Sequence, residues 1–160
     1  MAWPVNKTSL TMIYFSQRDP KWAADKIGSS NLTIGRWGCT LTSIAMLSSY
    51  FGCPQTPLEI AHNAANFNKE GLVVWKNLNF PCFQFVFRGY NESVSRIKDA
   101  MEDPDKAVLL QVNYGQHWVV GIRPKFFGRS YIVADPWDGK KVDVLAKYHN
   151  IMGAAYFKRV

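Results

Sequence analysis

The sequence lacks any apolar run of the roughly 18 residues that a membrane-spanning helix needs. Its N-terminus also lacks a basic start followed by an apolar run, so no signal peptide is visible. That leaves open a cytoplasmic or phage-associated location and export by another route. No repeat, low-complexity stretch or Gly/Ser/Pro-rich linker divides the 160 residues, a length typical of one domain. We therefore expect a single domain over residues 1–160.

Cysteine is scarce, and its count is odd. With three cysteines, at least one thiol has no disulfide partner within the chain, and the sequence leaves open whether Cys53 and Cys82 are paired. No C-x-x-C or C-x-x-H spacing is present, so we expect no structural zinc, and nothing indicates another metal or a cofactor. At least one cysteine therefore needs an explanation other than a disulfide framework.

Acidic residues are also few: 12 stand against 19 lysines and arginines, which gives a formal net charge of +7. A basic surface favours anionic partners such as nucleic acid, cell-wall polymer or membrane. The basic residues are scattered, however, and none of their runs exceeds Lys140–Lys141, whereas nucleic-acid-binding proteins usually cluster them. We expect no nucleic-acid partner.

The patterning predicts an α+β fold, because the first half of the chain favours helices and the second half favours strands. The arrangement expected is N-terminal helices packed on a C-terminal antiparallel sheet. Helices are predicted over residues 39–51, from a capping box at Thr56–Glu59 to about 67, and over 93–102 with Val94, Ile97 and Met101 inward. Strands are predicted over residues 83–88, 107–113, 117–123, 129–135 and 154–158. Residues 68–82 have no clear assignment.

A short loop between two of these strands predicts a specific contact. If residues 124–128 form a hairpin loop, Arg123 pairs with Arg129, and continuing that register places His117 directly opposite Asp135. Their Cβ atoms would then be about 4.5–5.5 Å apart on one face of the sheet. Such a pair either orients a catalytic imidazole or is a buried pair that only stabilises the sheet. A one-residue slip would separate the two side chains.

Cys39 begins the first predicted helix, directly after Gly38. At a helix N-terminus the unpaired backbone N–H groups and the helix dipole stabilise a thiolate, which is the nucleophilic form of cysteine. A histidine nearby can take the thiol proton and later return it to a leaving group, and a carboxylate can hold that imidazole in the required tautomer. Cys39, His117 and Asp135 are therefore the candidate catalytic residues.

The sequence resembles the C39-like cysteine peptidases of the papain-like superfamily over residues 13–137. The segments that carry the resemblance are Tyr14-Phe-Ser-Gln17-Arg-Asp-Pro-Lys-Trp22, Ile27-Gly28, Gly38-Cys39, Ala45-Met46, Tyr50-Phe51-Gly52, His117-Trp118-Val-Val and Asp135-Pro136. Gly38 precedes the cysteine, and Gln17 lies 22 residues before it. Both features resemble the wider C39-like group more than the exporter-linked domains that cleave double-glycine leaders.

The resemblance implies a papain-like cysteine protease fold and a role for each matching residue. Cys39 would be the nucleophile, His117 the general base and acid, and Asp135 the residue that orients the imidazole. Gln17 would donate its side-chain amide to the oxyanion, together with the backbone N–H of Cys39. Trp137 follows Asp135 at the place where papain-like enzymes shield the imidazole from water. Trp118 and Gly38 would be further substrate-binding or shielding residues.

Three functions remain open on this basis. The first is a thiol peptidase, phage or bacterial in origin, that acts through a thioester on a protein, a peptide or a peptidoglycan peptide. The second is a transglutaminase-like acyltransferase that uses the same residues with an amine in place of water. The third is a catalytically silent binding module with the same fold. The sequence indicates neither the oligomeric state nor the bond that is cleaved.

Overall fold

The computed structural model of the protein describes residues 11–160. Its α-helices are α1 (Ile34–Trp37), α2 (Cys39–Phe51), α3 (Pro57–His62), α4 (Val94–Glu102) and α5 (Val144–Tyr148), with 3₁₀ turns at Ala64–Asn66 and Trp75–Asn77. Its strands are β1 (Phe83–Tyr90), β2 (Lys106–Val112), β3 (His117–Pro124), β4 (Tyr131–Asp135), β5 (Lys140–Asp143) and β6 (Ile151–Arg159).

The six strands of the described residues form one antiparallel sheet in the order β1-β6-β2-β3-β4-β5. Alternate residues of each strand face opposite sides, so each face of the sheet is apolar where helices cover it. Helix α2 packs on one face, where Leu109 and Val120 belong to its core, and α4 and α5 cover the other, where Val108 and Val119 belong. The predicted α+β fold, with helices packed on an antiparallel sheet, is confirmed.

Helix α2 is the element that the sequence predicted with the correct bounds. Ten of its 13 residues are buried, because it lies between the sheet and the N-terminal segments. It ends at Gly52, whose φ of 97° is left-handed and whose N–H donates to the carbonyls of Ser48 and Ser49. A left-handed glycine at this position is the usual helix stop.

Several other predictions of helices are corrected. The capping box at Thr56–Glu59 is present, but α3 ends at His62 instead of continuing to about 67. Asn63 leaves helical conformation there, and its side chain caps the following 3₁₀ turn by accepting from the Ala65 N–H. In α4, Ile97 is buried as expected, whereas Val94 is 56% exposed because it occupies the first turn, at the edge of the sheet-facing surface.

The register of the β3–β4 hairpin also differs from the prediction. Arg123 pairs with Ile132 instead of Arg129, and the loop is closed by the Lys125 N–H donating to the Ser130 carbonyl. After a bulge, Val120 pairs with Ala134, which is two residues away from the predicted register. Because a shift of two keeps every side chain on its face, His117 and Asp135 remain on one side as diagonal neighbours.

Candidate active site

Cys39 is the first residue of α2, as the sequence predicted, and its side chain is half-buried. Gly38 joins α1 to α2 in a tight turn in which its N–H donates to the Ile34 carbonyl. A Cβ atom at position 38 would lie 2.5 Å from that carbonyl oxygen, so the junction requires glycine. The tight turn between α1 and α2 thus fixes the position of Cys39 at the start of α2.

Cys53 and Cys82 form a disulfide with a Cα–Cα distance of 6.0 Å, which settles the pairing that the sequence left open. Cys39 is the free cysteine of the described residues. The thiol at the start of α2 therefore has no covalent partner that would block it.

His117 and Asp135 form a buried hydrogen-bonded pair. The imidazole Nε2 lies 2.8 Å from the carboxylate Oδ1, and the His117 and Asp135 side chains are 11% and 0% exposed. The Cys39 thiol lies close enough for its pKa and that of the imidazole to be coupled, and its Sγ lies 3.8 Å from the Thr40 hydroxyl. Because Nε2 is bonded to Asp135, Nδ1 is the ring atom left for the thiol. The structure thus brings the three candidate catalytic residues together.

The contact between the imidazole and the thiol shifts the pKa of both groups. Burial alone lowers the pKa of His117, but its hydrogen bonds with Asp135 and Cys39 outweigh burial and raise that pKa from 6.5 to about 9. Burial raises the pKa of Cys39, yet the hydrogen bond and the charge of His117 prevail and lower it from its usual 9.0. These shifts favour a thiolate–imidazolium pair, the reactive form of a cysteine nucleophile.

Asp135 accepts from four donors, two on each oxygen. Oδ1 accepts from His117 and from the Trp137 backbone N–H at 3.0 Å. Oδ2 accepts from the Lys147 ammonium at 2.6 Å and from the Tyr148 hydroxyl. Burial raises the pKa of Asp135, but these bonds hold it well below its usual range. The carboxylate is therefore ionised and fixed in orientation.

The sequence analysis missed Lys147 and Tyr148 because it did not predict β5 and α5, which carry them to the site. A helix of five residues is too short to show apolar periodicity. One signal was present: Asp143 is the N-cap of α5, and its side chain accepts from the Ala146 N–H. An aspartate before an apolar pair is a helix-start signature.

Gln17 lies beside the cysteine helix, and its side chain is almost fully buried at 1% exposure. Its backbone N–H donates to the Pro136 carbonyl at 2.7 Å, and its side-chain Nε2 donates to the Gly35 carbonyl at 3.2 Å. Its Oε1 has no hydrogen-bond partner among the described residues. A buried carbonyl left unpaired costs about 1–3 kcal/mol. Gln17 thus links α1 to the turn after Asp135 and is one of the residues that line the cleft.

The cleft above these residues has a volume of about 660 Å³, and Cys39, His117 and Gln17 line it. Trp137 stands at its rim, 41% exposed, with the Arg18 guanidinium 4.3 Å from the ring centroid. Trp118 also lines the cleft, but it is only 7% exposed and packs edge-on against Trp75. Gly38 does not line it; its part is to shape the turn before Cys39.

Within residues 11–160, no group of three or more His, Cys, Asp or Glu side chains is arranged to hold a metal ion. Over the same residues, no helix has the length and apolar character needed to cross a membrane.

A comparison with solved structures finds a protease of similar fold. A double glycine motif protease from an AMS/PCAT transporter, solved in complex with the leader peptide, superimposes with a TM-score of 0.59. The match covers 100% of each chain at 17% sequence identity. The two chains share a fold. No family model matches the chain, and no curated protein matches it.

Proposed function

We propose that the protein is a cysteine hydrolase of the C39-like, papain-like kind, with residues 1–160 as one catalytic domain that cleaves a peptide or amide bond through a thioester. The observation that carries the proposal is that Cys39 and His117 line one open cleft, where the His117 imidazole is hydrogen-bonded to the buried Asp135 carboxylate at 2.8 Å and lowers the pKa of the thiol. The fold shared with a protease supports it independently.

In the first half of the reaction, His117 takes the Cys39 proton, and the thiolate attacks the carbonyl carbon of the bound amide. The former carbonyl oxygen becomes an oxyanion, which accepts hydrogen bonds from the Gln17 amide and the Cys39 backbone N–H. The imidazolium then gives its proton to the leaving nitrogen. The C–N bond breaks, an amine departs, and a thioester remains on Cys39.

In the second half, His117 acts as a base toward water, which attacks the thioester. The C–S bond breaks, the carboxylic acid leaves, and the thiol proton returns from the imidazolium. Asp135 stabilises the imidazolium in both halves without taking its proton. Trp137 shields the imidazole–carboxylate pair at the rim of the cleft, and Trp118 forms part of the cleft wall.

The experiment that tests this proposal is a digest profile read by mass spectrometry. Peptide libraries and purified cell-wall fragments are incubated with the protein and with Cys39→Ala as the matched control. We expect new termini with the wild-type protein and none with the variant, which should stay folded. Products that persist with Cys39→Ala would refute the assignment, and the absence of products from every substrate would favour the silent binding module.

The acyltransferase alternative is separated in the same assay. An added primary amine that replaces water at the thioester would leave an amide on the product in place of a free carboxylate. We expect the free acid to dominate.

A further inference from the structure

The charges that line the cleft have one sign. Arg36 and Lys147 line it, and no aspartate or glutamate of the described residues does. Lys147 is already bound to the Asp135 carboxylate at 2.6 Å. Arg36 is exposed and, among the described residues, forms no ion pair. Within residues 11–160, its guanidinium is therefore the positive charge on the wall of the cleft that has no acidic partner.

Arg36 lies in α1, three residues before Cys39. The part of the cleft wall that carries Arg36 is therefore next to the proposed nucleophile in the chain. The carbonyl of the preceding residue, Gly35, accepts the bond from Gln17 Nε2. Arg36 thus occupies the turn that also orients the oxyanion donor. When the scissile carbonyl of a substrate is placed at Cys39, the substrate residues next to the scissile bond would lie near this guanidinium.

Arg36 is held against an exposed aromatic ring, which limits the positions its guanidinium can take. Its Cζ lies 5.3 Å from the centroid of Trp37, a residue that lines the cleft and is 53% exposed. Arg18 makes a similar contact with Trp137, a residue that lines the cleft, and its Nε donates to the Trp137 carbonyl at 2.9 Å. A stacked guanidinium keeps its outer N–H groups free for a carboxylate.

We propose that the cleft selects peptides that carry a carboxylate near the bond to be cut, with Arg36 as the recognition residue. The proposal rests on the proposed function for its substrate position. A planar, permanently charged guanidinium binds a carboxylate through two parallel hydrogen bonds. A substrate glutamine in place of glutamate has the same shape but lacks the negative charge and the second acceptor oxygen. An acidic protein segment and a cell-wall stem peptide share this chemistry.

The first test needs no substrate. Cys39 is alkylated with iodoacetate, which carries a carboxylate, and with the neutral iodoacetamide, and the ratio of the two rates is measured. Because both reagents attack the same thiolate, the ratio reports the local charge and not the reactivity of the thiol. We expect Arg36→Gln to lower the iodoacetate/iodoacetamide ratio about threefold at low ionic strength, with the difference shrinking at high salt.

Arg123→Gln is the matched control, since it removes the same charge from an exposed arginine near the far end of β3, about 20 Å along the strand from His117. Its ratio should equal that of the wild type. An unchanged ratio in Arg36→Gln would overturn the proposal, and so would an equal fall in Arg123→Gln, which would trace the effect to net charge.

The second test uses turnover on matched peptides. In the digest profile, cleavage sites should be enriched in Asp or Glu, and replacing that residue by Gln should lower kcat/KM about three- to tenfold for the wild type and less than twofold for Arg36→Gln. Arg36→Glu should reverse the preference toward Lys. To separate the cell-wall stem peptide from an acidic protein segment as the source of the carboxylate, turnover of intact wall peptides is compared with turnover of the same peptides after amidation of their carboxylates.

The outcomes distinguish this proposal from the proposed function. Turnover that is indifferent to substrate charge contradicts the carboxylate preference and leaves the hydrolase intact. A lowered alkylation ratio in Arg36→Gln, with no turnover of any library, contradicts the hydrolase and supports an anion-selective cleft.

Discussion

Lys147 places its ammonium 2.6 Å from Asp135 Oδ2, while the other oxygen of the same carboxylate holds His117 at 2.8 Å. The positive charge of Lys147 competes with the imidazolium for the negative charge of Asp135. Lys147 therefore weakens the effect by which the carboxylate favours the protonated form of His117. Lys147 and the Tyr148 hydroxyl both donate to Oδ2 and so fix the orientation of the carboxylate.

Lys147→Met tests this relationship. With the ammonium gone, the carboxylate charge acts more fully on the imidazole, so we expect the pKa of His117 to rise above its wild-type value. We also expect a loss of about 1.5–3 kcal/mol in the free energy of unfolding, the usual worth of a hydrogen bond to a charged group. An NMR titration of the His117 ring and a urea unfolding curve measure the two effects. Tyr148→Phe removes a neutral donor from the same oxygen and is the matched comparison; an unmoved His117 titration in Lys147→Met would contradict the competition.

The pH dependence of activity follows from the two opposed pKa shifts at the site. Activity should rise with pH as Cys39 ionises, and this limb should lie below pH 9.0 because the pKa of the thiol is lowered from its usual 9.0. Activity should fall again as His117, whose pKa is raised to about 9, loses its proton. The pair titrates as a unit, so the two limbs describe the pair. Asp135→Asn should lower kcat by up to about 10⁴-fold and move the basic limb to lower pH, because the charge that raises the pKa of His117 is gone. A basic limb that stays in place would show that another group controls it.

The same groups make stability depend on pH. The raised pKa of His117 contributes stability that is present below its unfolded value of 6.5 and is lost as the pH rises through about 9. The lowered pKa of Asp135 contributes stability that is present above the unfolded value of 3.8 and is lost as the pH falls below it. Unfolding curves across the pH range should therefore show losses at both ends, and Asp135→Asn should reduce both, because Asp135 also raises the pKa of His117.

Gln17→Ala should act on the rate more than on substrate binding. The amide is expected to donate only once the oxyanion forms, so we predict a fall in kcat of about 10²–10³-fold with little change in KM. The substitution also removes the bond to Gly35, so a thermal unfolding scan accompanies the kinetics. A rise in KM at constant kcat would instead indicate ordinary substrate contact.

Alkylation tests the state of the thiol directly. At about pH 6, iodoacetamide should modify Cys39 about 10- to 100-fold faster than a model thiol, because the effect of His117 outweighs that of burial and lowers the pKa of the thiol. Cys53 and Cys82 should not react, since they are joined. Mass spectrometry of the digested protein locates the label, and His117→Ala should slow the reaction to the rate of the model thiol. Equal rates before and after that substitution would exclude the ion pair.

Removal of the disulfide should destabilise the fold without affecting chemistry. It links residues 29 positions apart, and closing a loop of that size typically contributes about 2–4 kcal/mol. Cys53 lies beyond the far end of α2, about 20 Å from the thiol at its start. We expect the Cys53→Ser/Cys82→Ser double variant to unfold at lower urea concentration with an unchanged alkylation rate at Cys39. A slowed rate would mean that the helix end and the cleft are coupled.

The sequence predicted what local chemistry determines. Helix α2 follows from its apolar pattern and from Gly52, and the placement of Cys39 follows from α2. The fold class follows from the order of helices and strands. These features depend on neighbouring residues along the chain, which is the information that a single sequence carries most directly.

What the sequence missed depends on the assembled sheet. The register of the β3–β4 hairpin was wrong because a bulge between Gly121 and Arg123 changes the count of paired residues. His117 and Asp135 still meet, since the net shift of two preserves the face on which each lies. Helix α5 and the support it gives Asp135 arise from contacts distant in sequence, with Asp143 as the single local signal.

The covalent link between Cys53 and Cys82 sets opposite redox requirements within one chain. In the proposed mechanism Cys39 must remain reduced, while the other two cysteines must remain oxidised to keep their contribution to stability. Strong reductants added to protect the nucleophile will open the cross-link, and prolonged exposure to peroxide will carry Cys39 to sulfenic and then sulfinic acid. The working protein therefore needs a thiol buffer poised between these limits.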